Sequence, residues 1–154
     1  MEMDPNAFWN SSSPENPPIT DAMVRVAENE LCVKLPKEYL DLLRLKNGGY
    51  TNGFGFPMSQ KTSWADDHVP LPDLKGIALE PFSEGPLSVR DNSYLCEEWG
   101  LPQKQVLLSG DGHYWLTLDY RNGDVPSVSW IDVECDEDIS VAPTFSAFLD
   151  GLRP

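Results

Sequence analysis

A chain of 154 residues that is 40% apolar and carries five Trp can bury a core of its own and fits one folded domain, not a disordered segment. Its 11 basic and 25 acidic side chains leave a net charge of −14, which argues against direct contact with nucleic acid or an anionic membrane and favours a cationic partner or plain solubility. Cys32, Cys96 and Cys135 are widely spaced, so no C-x-x-C metal or redox pair exists.

Residues 1–18 lack a charged segment followed by an apolar run, and no apolar stretch approaches a membrane span. With an odd number of cysteines, this gives an expected cytoplasmic location with reduced thiols. Residues 10–18 are rich in Ser, Pro and Asn and read as a flexible stretch. We therefore divide the chain into an N-terminal arm, 1–18, and a domain, 19–154. Phe8 and Trp9 are expected to dock on the domain, because two exposed aromatics are costly.

The first helix is expected to start after Thr20, an N-cap, with Asp21 at the positive helix end. Ile19 and Val24 suit a hydrophobic staple, and Met23, Ala27 and Leu31 continue one face. A second helix follows in residues 35–49. Pro36 fits its first turn, Tyr39, Leu42 and Leu43 share a face, and Asn47, Gly48 and Gly49 tolerate the backbone that stops it. Phe54 and Phe56 alternate with glycines ahead of Pro57 and suggest a short strand. Residues 59–72, polar and holding two prolines, read as a loop, and residues 76–82 as a second strand. Residues 91–99 suit a short helix, capped by Asp91 or Asn92 and stopped by Gly100.

The last third is more regular. Residues 106–108 and 113–119 read as strands around a turn at Gly110, Asp111 and Gly112. Tyr114, Leu116 and Leu118 share one face, and His113, Trp115, Thr117 and Asp119 the other. Arg121, Asn122, Gly123 and Asp124 form a hairpin-type turn. A further strand alternates Val128, Trp130 and Asp132 with Ser129, Ile131 and Val133. An acidic loop, 132–138, leads to a last helix from Thr144 with Phe145, Phe148, Leu149 and Leu152 on one face. Helices, then antiparallel strands, then a helix make an α+β pattern: a mostly antiparallel sheet with flanking helices in a single domain.

With these elements in place the chain resembles the SUKH superfamily, the family of a fungal cell-wall-assembly regulator and related proteins. Three pieces carry the likeness. The first is Leu35, Pro36, Lys37, Glu38 and Tyr39 in a helix that ends at Asn47, Gly48 and Gly49. The second is Leu107, Leu108, Ser109, Gly110, Asp111 and Gly112 followed by the strand from Tyr114 to Asp119. The third is Pro126, Ser127 and Val128 leading to the helix with Phe145, Phe148 and Leu149. Together they cover most of residues 20–152; residues 59–92 match nothing. The resemblance implies the α+β fold just described and no catalytic residue set. Most bacterial members look like immunity proteins that bind and neutralise a polymorphic toxin delivered between neighbouring cells, as in contact-dependent inhibition, often a nuclease.

The residues offer two candidate surfaces. Asp132, Glu134, Asp136, Glu137 and Asp138 place five carboxylates in seven residues with no base among them. They read either as a solvated loop or as a docking surface for a basic nuclease-like face, whose encounter they would speed. A Ca²⁺ loop fits poorly, since the glycine turn and ligand spacing of an EF-hand are missing. Trp64, Asp66 and Asp67, beside His68, make a second acidic patch with an aromatic. Trp64 is either a contact residue or a ring folded back on the core. Glu97, Glu98 and Trp99 repeat that pattern more weakly. Asp111 and His113, with Asp119 a strand away, fit a tight turn better than a catalytic pair. His68 and His113 share no ligand spacing with each other or the cysteines, so no metal and no cofactor are expected. The chain is therefore expected to be no enzyme. We expect an immunity protein that binds a basic toxin domain, with a regulatory or scaffold module of the same fold as the alternative.

Overall fold

The computed structural model describes residues 7–11, 17–77, 92–110 and 114–153, with side chains in the third segment from Cys96 onward. Its elements run α1 (Asp21–Leu31), α2 (Lys37–Leu45), β1 (Gly49–Pro57), β2 (His68–Leu74), α3 (Asn92–Trp99), β3 (Gln105–Gly110), β4 (Trp115–Asp119), β5 (Ser127–Asp132), β6 (Glu137–Ala142) and α4 (Phe145–Gly151). All pairings are antiparallel. β1 and β2 form one sheet, and β3 to β6 follow chain order in a second. The α+β reading holds.

The helix signals act as the sequence suggests. Thr20 Oγ1 accepts the Met23 N–H at 3.2 Å and caps α1, and Ile19 and Val24 are both buried beside it. Thr144 caps α4 the same way, through the Ala147 N–H at 3.0 Å. On α2, Tyr39, Leu42 and Leu43 face the core. The Asn-Gly-Gly sequence, read as the helix stop, lies just past it: α2 ends at Leu45 with Lys46 as its cap, and Gly49 opens β1. The Asn47 side chain is buried, donates to the Pro17 and Ile77 carbonyls at 2.7 and 2.6 Å, and accepts the Ile77 N–H at 2.8 Å. Gly48, at φ +82°, lies so close to Gly76 that an added Cβ would sit 2.6 Å from the Gly76 nitrogen. The motif marks a close crossing of two backbones, which only glycine permits.

Two expectations for the middle of the chain need correction. The segment read as a loop over 59–72 ends inside β2, which contains Pro70 and Pro72. Among the described residues both prolines sit on a strand paired on one side only, the place a sheet tolerates a missing N–H. Gly76 and Ile77, read as the start of a strand, are buried irregular chain instead, held by Asn47; the rest of that expected strand, like Asp91, Asp111, Gly112 and His113, lies outside the described residues.

The main core gathers Phe8 and residues of α1, α2, α4 and both sheets. Phe8 is fully buried, stacks on Phe54 at 5.6 Å, and lies next to Trp9, whose indole N–H donates to the Leu42 carbonyl at 2.9 Å. Backbone bonds from Asn10 N to Tyr50 O and from Asn52 N to Phe8 O lay this stretch along β1. The docking expected for Phe8 and Trp9 is what the fold shows. The other face of the four-stranded sheet is divided. Leu107 and Trp115 pack with Cys96 and Leu101 from the α3 region, while Thr117, Asp119 and Ser129 make a buried polar patch.

Candidate functional site

The acidic segment read as a loop over 132–138 is one only in part: Asp132 ends β5, residues 133–136 make the turn, and Glu137 and Asp138 open β6, a strand that the local pattern did not mark. Most of its carboxylates hold structure. Asp132, 4% exposed, accepts the Cys135 N–H at 3.0 Å and the Ser63 hydroxyl at 2.6 Å. Burial alone would raise its carboxyl, but these hydrogen bonds outweigh burial and hold it below the usual range. Asp136 adopts the left-handed conformation at φ 55° that closes the turn, one of the few roles in which Asp replaces Gly at little cost. Glu137 accepts both the Trp130 indole N–H and the Ser63 backbone N–H at 2.9 Å. Asp138 is held by Arg121, whose guanidinium donates to its two oxygens at 2.7 and 2.8 Å. The base missing from the local sequence therefore arrives from 17 residues away.

Arg121 also grips Asp119, with its Nη2 2.6 Å from Asp119 Oδ2. Asp119 further accepts from Ser129 Oγ at 2.8 Å and Gln105 Nε2 at 2.9 Å, and Thr117 donates to the Gln105 side-chain oxygen at 2.6 Å. Burial opposes ionisation of Asp119, yet Arg121, Ser129 and Gln105 together bring its carboxyl down to about 2. Asp119 is thus an ionised anchor with its oxygens occupied, unsuited to general-base work, which needs an affinity for protons near neutrality.

The second candidate surface joins the first. Thr62 is buried, and its hydroxyl accepts the Trp64 and Ala65 N–H groups at 3.2 and 3.4 Å, a local turn that projects Trp64 outward. Trp64 is 52% exposed. Its ring packs edge-on against Tyr114 at 5.4 Å, and Tyr114 stacks on the buried Trp130 at 4.6 Å. A ladder of three aromatics therefore runs from core to surface, with Glu137 tied to its inner rung. Ser63, next to Trp64, binds both Asp132 and Glu137, so two segments 69 residues apart form one continuous surface. Asp66 and Asp67 are exposed on it; Asp66 lies 4.0 Å from Lys61, and Asp67 2.9 Å from His68 Nδ1. Glu134 and Asp136 are exposed in the turn. Glu97, Glu98 and Trp99 stand exposed on α3, and no contact joins them to this surface among the described residues.

Reasoning from sequence missed the two residues that assemble the surface, Ser63 and Arg121. Neither carries a local signal: a serine in a polar loop and an arginine in a turn are ordinary until the fold brings carboxylates to them. Also missed was a groove of about 480 Å³ on the outer face of β1 and β2, walled by Trp64 and opening beside Asp67, His68 and Arg153. A larger cleft of about 720 Å³ runs past Glu28, Cys32, Lys34 and Tyr120. Its polar groups largely serve the fold, since Glu28 accepts the Leu35 N–H at 2.7 Å and Tyr120 donates to the Lys34 carbonyl at 2.6 Å. Cys32, Cys96 and Cys135 are unbridged thiols, and burial pushes the Cys96 thiol up to about 11, away from nucleophilic use. Among the described residues no three His, Cys, Asp or Glu side chains are grouped to hold a metal ion, and no helix is long and apolar enough to cross a membrane.

A search of curated proteins found no match. The sequence model of the SMI1 / KNR4 family (SUKH-1) matches residues 18–151, a span that contains both helices of the N-terminal hairpin, both sheets and the last helix. The chain belongs to the SMI1 / KNR4 family (SUKH-1), whose domains serve broadly in immunity and in regulatory roles of the SMI1 / KNR4 type.

Proposed function

We propose that this chain is a cytoplasmic immunity protein that neutralises a cognate polymorphic toxin by stoichiometric binding and performs no reaction of its own. The observation that carries the reading is the convergence of the Trp64–Asp67 and Asp132–Asp138 segments on one face through Ser63. A single acidic loop is commonly a solvated turn. Two acidic segments fastened together around a half-exposed Trp make a surface with an aromatic anchor and a negative rim, the arrangement that binding hot spots favour. A nuclease must be basic where it holds phosphate, so such a domain is the toxin class this face complements. Complementary charge also raises the association rate, which counts when the toxin acts quickly.

The test is co-expression rescue and association kinetics with the toxin domain encoded by the neighbouring gene. Asp66, Asp67, Glu134 and Asp136 are changed together to their amides. These four lie at the surface, whereas Asp132, Glu137 and Asp138 also hold the fold. The association rate should fall at least several-fold at low salt, with the difference shrinking as salt is added. Unchanged protection and on-rate would remove this face from the interaction. A regulatory scaffold of the same fold has no toxin gene beside it, so gene neighbourhood separates the two readings.

A further inference from the structure

The outer face of the β1–β2 sheet has an unusual composition. The register pairs Gly55 with Pro70 and Pro57 with His68, so these residues and their strand neighbours Gly53 and Pro72 share the outward face, while Phe54, Phe56, Val69 and Leu71 pack towards the core. A solvated antiparallel face is ordinarily polar. This one offers a single imidazole among glycines and prolines. An added Cβ at Gly53 would meet nothing within 4 Å, whereas one at Gly55 would meet the His68 ring at 3.1 Å, so the floor is open space at its Gly53 end and lies against the imidazole at Gly55.

The edge of this sheet is closed to strand addition. Gly55 turns its N–H and C=O towards Arg153, bonding it both ways at 2.8 Å, and hence away from β2. Its partner Pro70 is then in a non-hydrogen-bonded pair, and the N–H that proline lacks is the one that would face outward. Pro72, two residues on, repeats this. A partner therefore reads the groove through side chains rather than by extending the sheet. The wall is preorganised, because Trp64 leans on Tyr114 and through it on Trp130, so little rotamer freedom remains to be lost on binding.

Charge sets the occupant. Asp66 and Asp67, with side chains 88% and 85% exposed, stand at the Trp64 end, and the Asp132–Asp138 turn lies beyond through Ser63. Lys61 lies beside Asp66, and Arg153 sits at the groove. We infer that this groove is a docking site for a basic segment of a protein partner, which inserts one apolar side chain between Trp64 and the Gly53–Gly55 floor and sets flanking Lys or Arg against Asp66 and Asp67. The flanking cations also gain from the indole face. The inference rests on the toxin-binding reading for its choice of a basic protein.

Two titrations of the full chain test it. In the first, short synthetic peptides with a central Leu or Trp between lysines are added to ¹⁵N-labelled protein. The expected result is a shift of the Trp64 indole N–H and the Gly53 and Gly55 amides, absent for peptides with a central Gly or with glutamates as flanks. No shift, shifts elsewhere, or equal shifts from all peptides would overturn the groove. In the second, the neighbouring gene's toxin domain is titrated against Trp64→Ala, Trp64→Phe, Pro72→Lys and Pro72→Gln. Trp64→Ala should weaken binding roughly thirty-fold, as for a central anchor, with Trp64→Phe recovering part. Pro72→Lys should weaken it more than the neutral Pro72→Gln. Tight toxin binding that ignores these changes, yet responds to the acidic amide variant, overturns the groove and leaves the immunity reading standing. Peptides that bind the groove while the toxin does not bind at all support the groove and remove the immunity reading.

Discussion

Replacing Arg121 with Ala should cost more than a surface arginine ordinarily does, and the cost should depend on pH in a specific way. Arg121 fastens Asp119, at the end of β4, to Asp138, at the start of β6. It is the only cation in contact with Asp119 among the described residues. The Asp119 side chain is only 5% exposed. The fall of its carboxyl from 3.8 to about 2 corresponds to roughly 2 kcal/mol of stability at neutral pH. Because the folded value lies below the unfolded one, this contribution is complete above about pH 4 and is lost as pH falls towards about 2. Without the guanidinium, Ser129 and Gln105 still donate to Asp119, but burial now pushes its carboxyl upward. Arg121→Ala should therefore lose about 2 to 3 kcal/mol in urea unfolding at neutral pH, somewhat less than a fully buried pair because Arg121 is about one-third exposed. Its acid transition should begin at higher pH than that of the wild type. Adding Asp119→Asn should recover part of the loss, since the stranded charge is gone. If Arg121→Ala changes stability by less than about 0.5 kcal/mol, the range expected of an ordinary surface substitution, or if Asp119→Asn worsens it, the clamp contributes nothing to stability.

Ser63→Ala removes the hydroxyl donor to Asp132 while keeping the backbone bond to Glu137. It should cost about 1 to 2 kcal/mol and raise the hydrogen exchange of residues 62–65 as the Trp64 turn loosens; unchanged exchange would mean the two acidic segments are not mechanically joined. Phe8→Ala empties a fully buried site and should cost about 3 to 5 kcal/mol in denaturant unfolding, whereas a loosely associated arm would lose almost nothing.

The local sequence carried the helices well. Thr20 and Thr144 cap because a short hydroxyl side chain can reach a free N–H two or three residues on, and that geometry depends on nothing distant. Alternation across residues 113–119 and 128–133 likewise marked two strands, β4 and β5, and their faces, although Val133 falls in the turn after β5. β2 was harder to see. Its two prolines ordinarily forbid a strand, and they are tolerated because, among the described residues, β2 pairs only with β1, a fact of topology that no window of residues contains. Asn47, Gly48 and Gly49 read as a helix stop, yet α2 already ends at Leu45 with Lys46 as its cap; their reason is the approach of Gly76 from far along the chain.

For the site, the chain order supplied the ingredients and their charge: Trp64, Asp66, Asp67 and the five carboxylates from Asp132 to Asp138 are visible in the sequence, as is the family. It could not supply their division of labour. Whether a carboxylate is a contact or a strut depends on which donor lies within about 3 Å, and here those donors are Trp130, brought across by the β5–β6 hairpin, and Ser63 and Arg121, which come from other segments of the chain. The sequence by itself determined the helices, the strands of the last third other than β6, the acidic character and the kind of domain, because these follow from local propensity and composition. Only the tertiary structure decided that two acidic segments are one surface, which of its charges face outward, and that a groove lies beside it, because those are properties of distance.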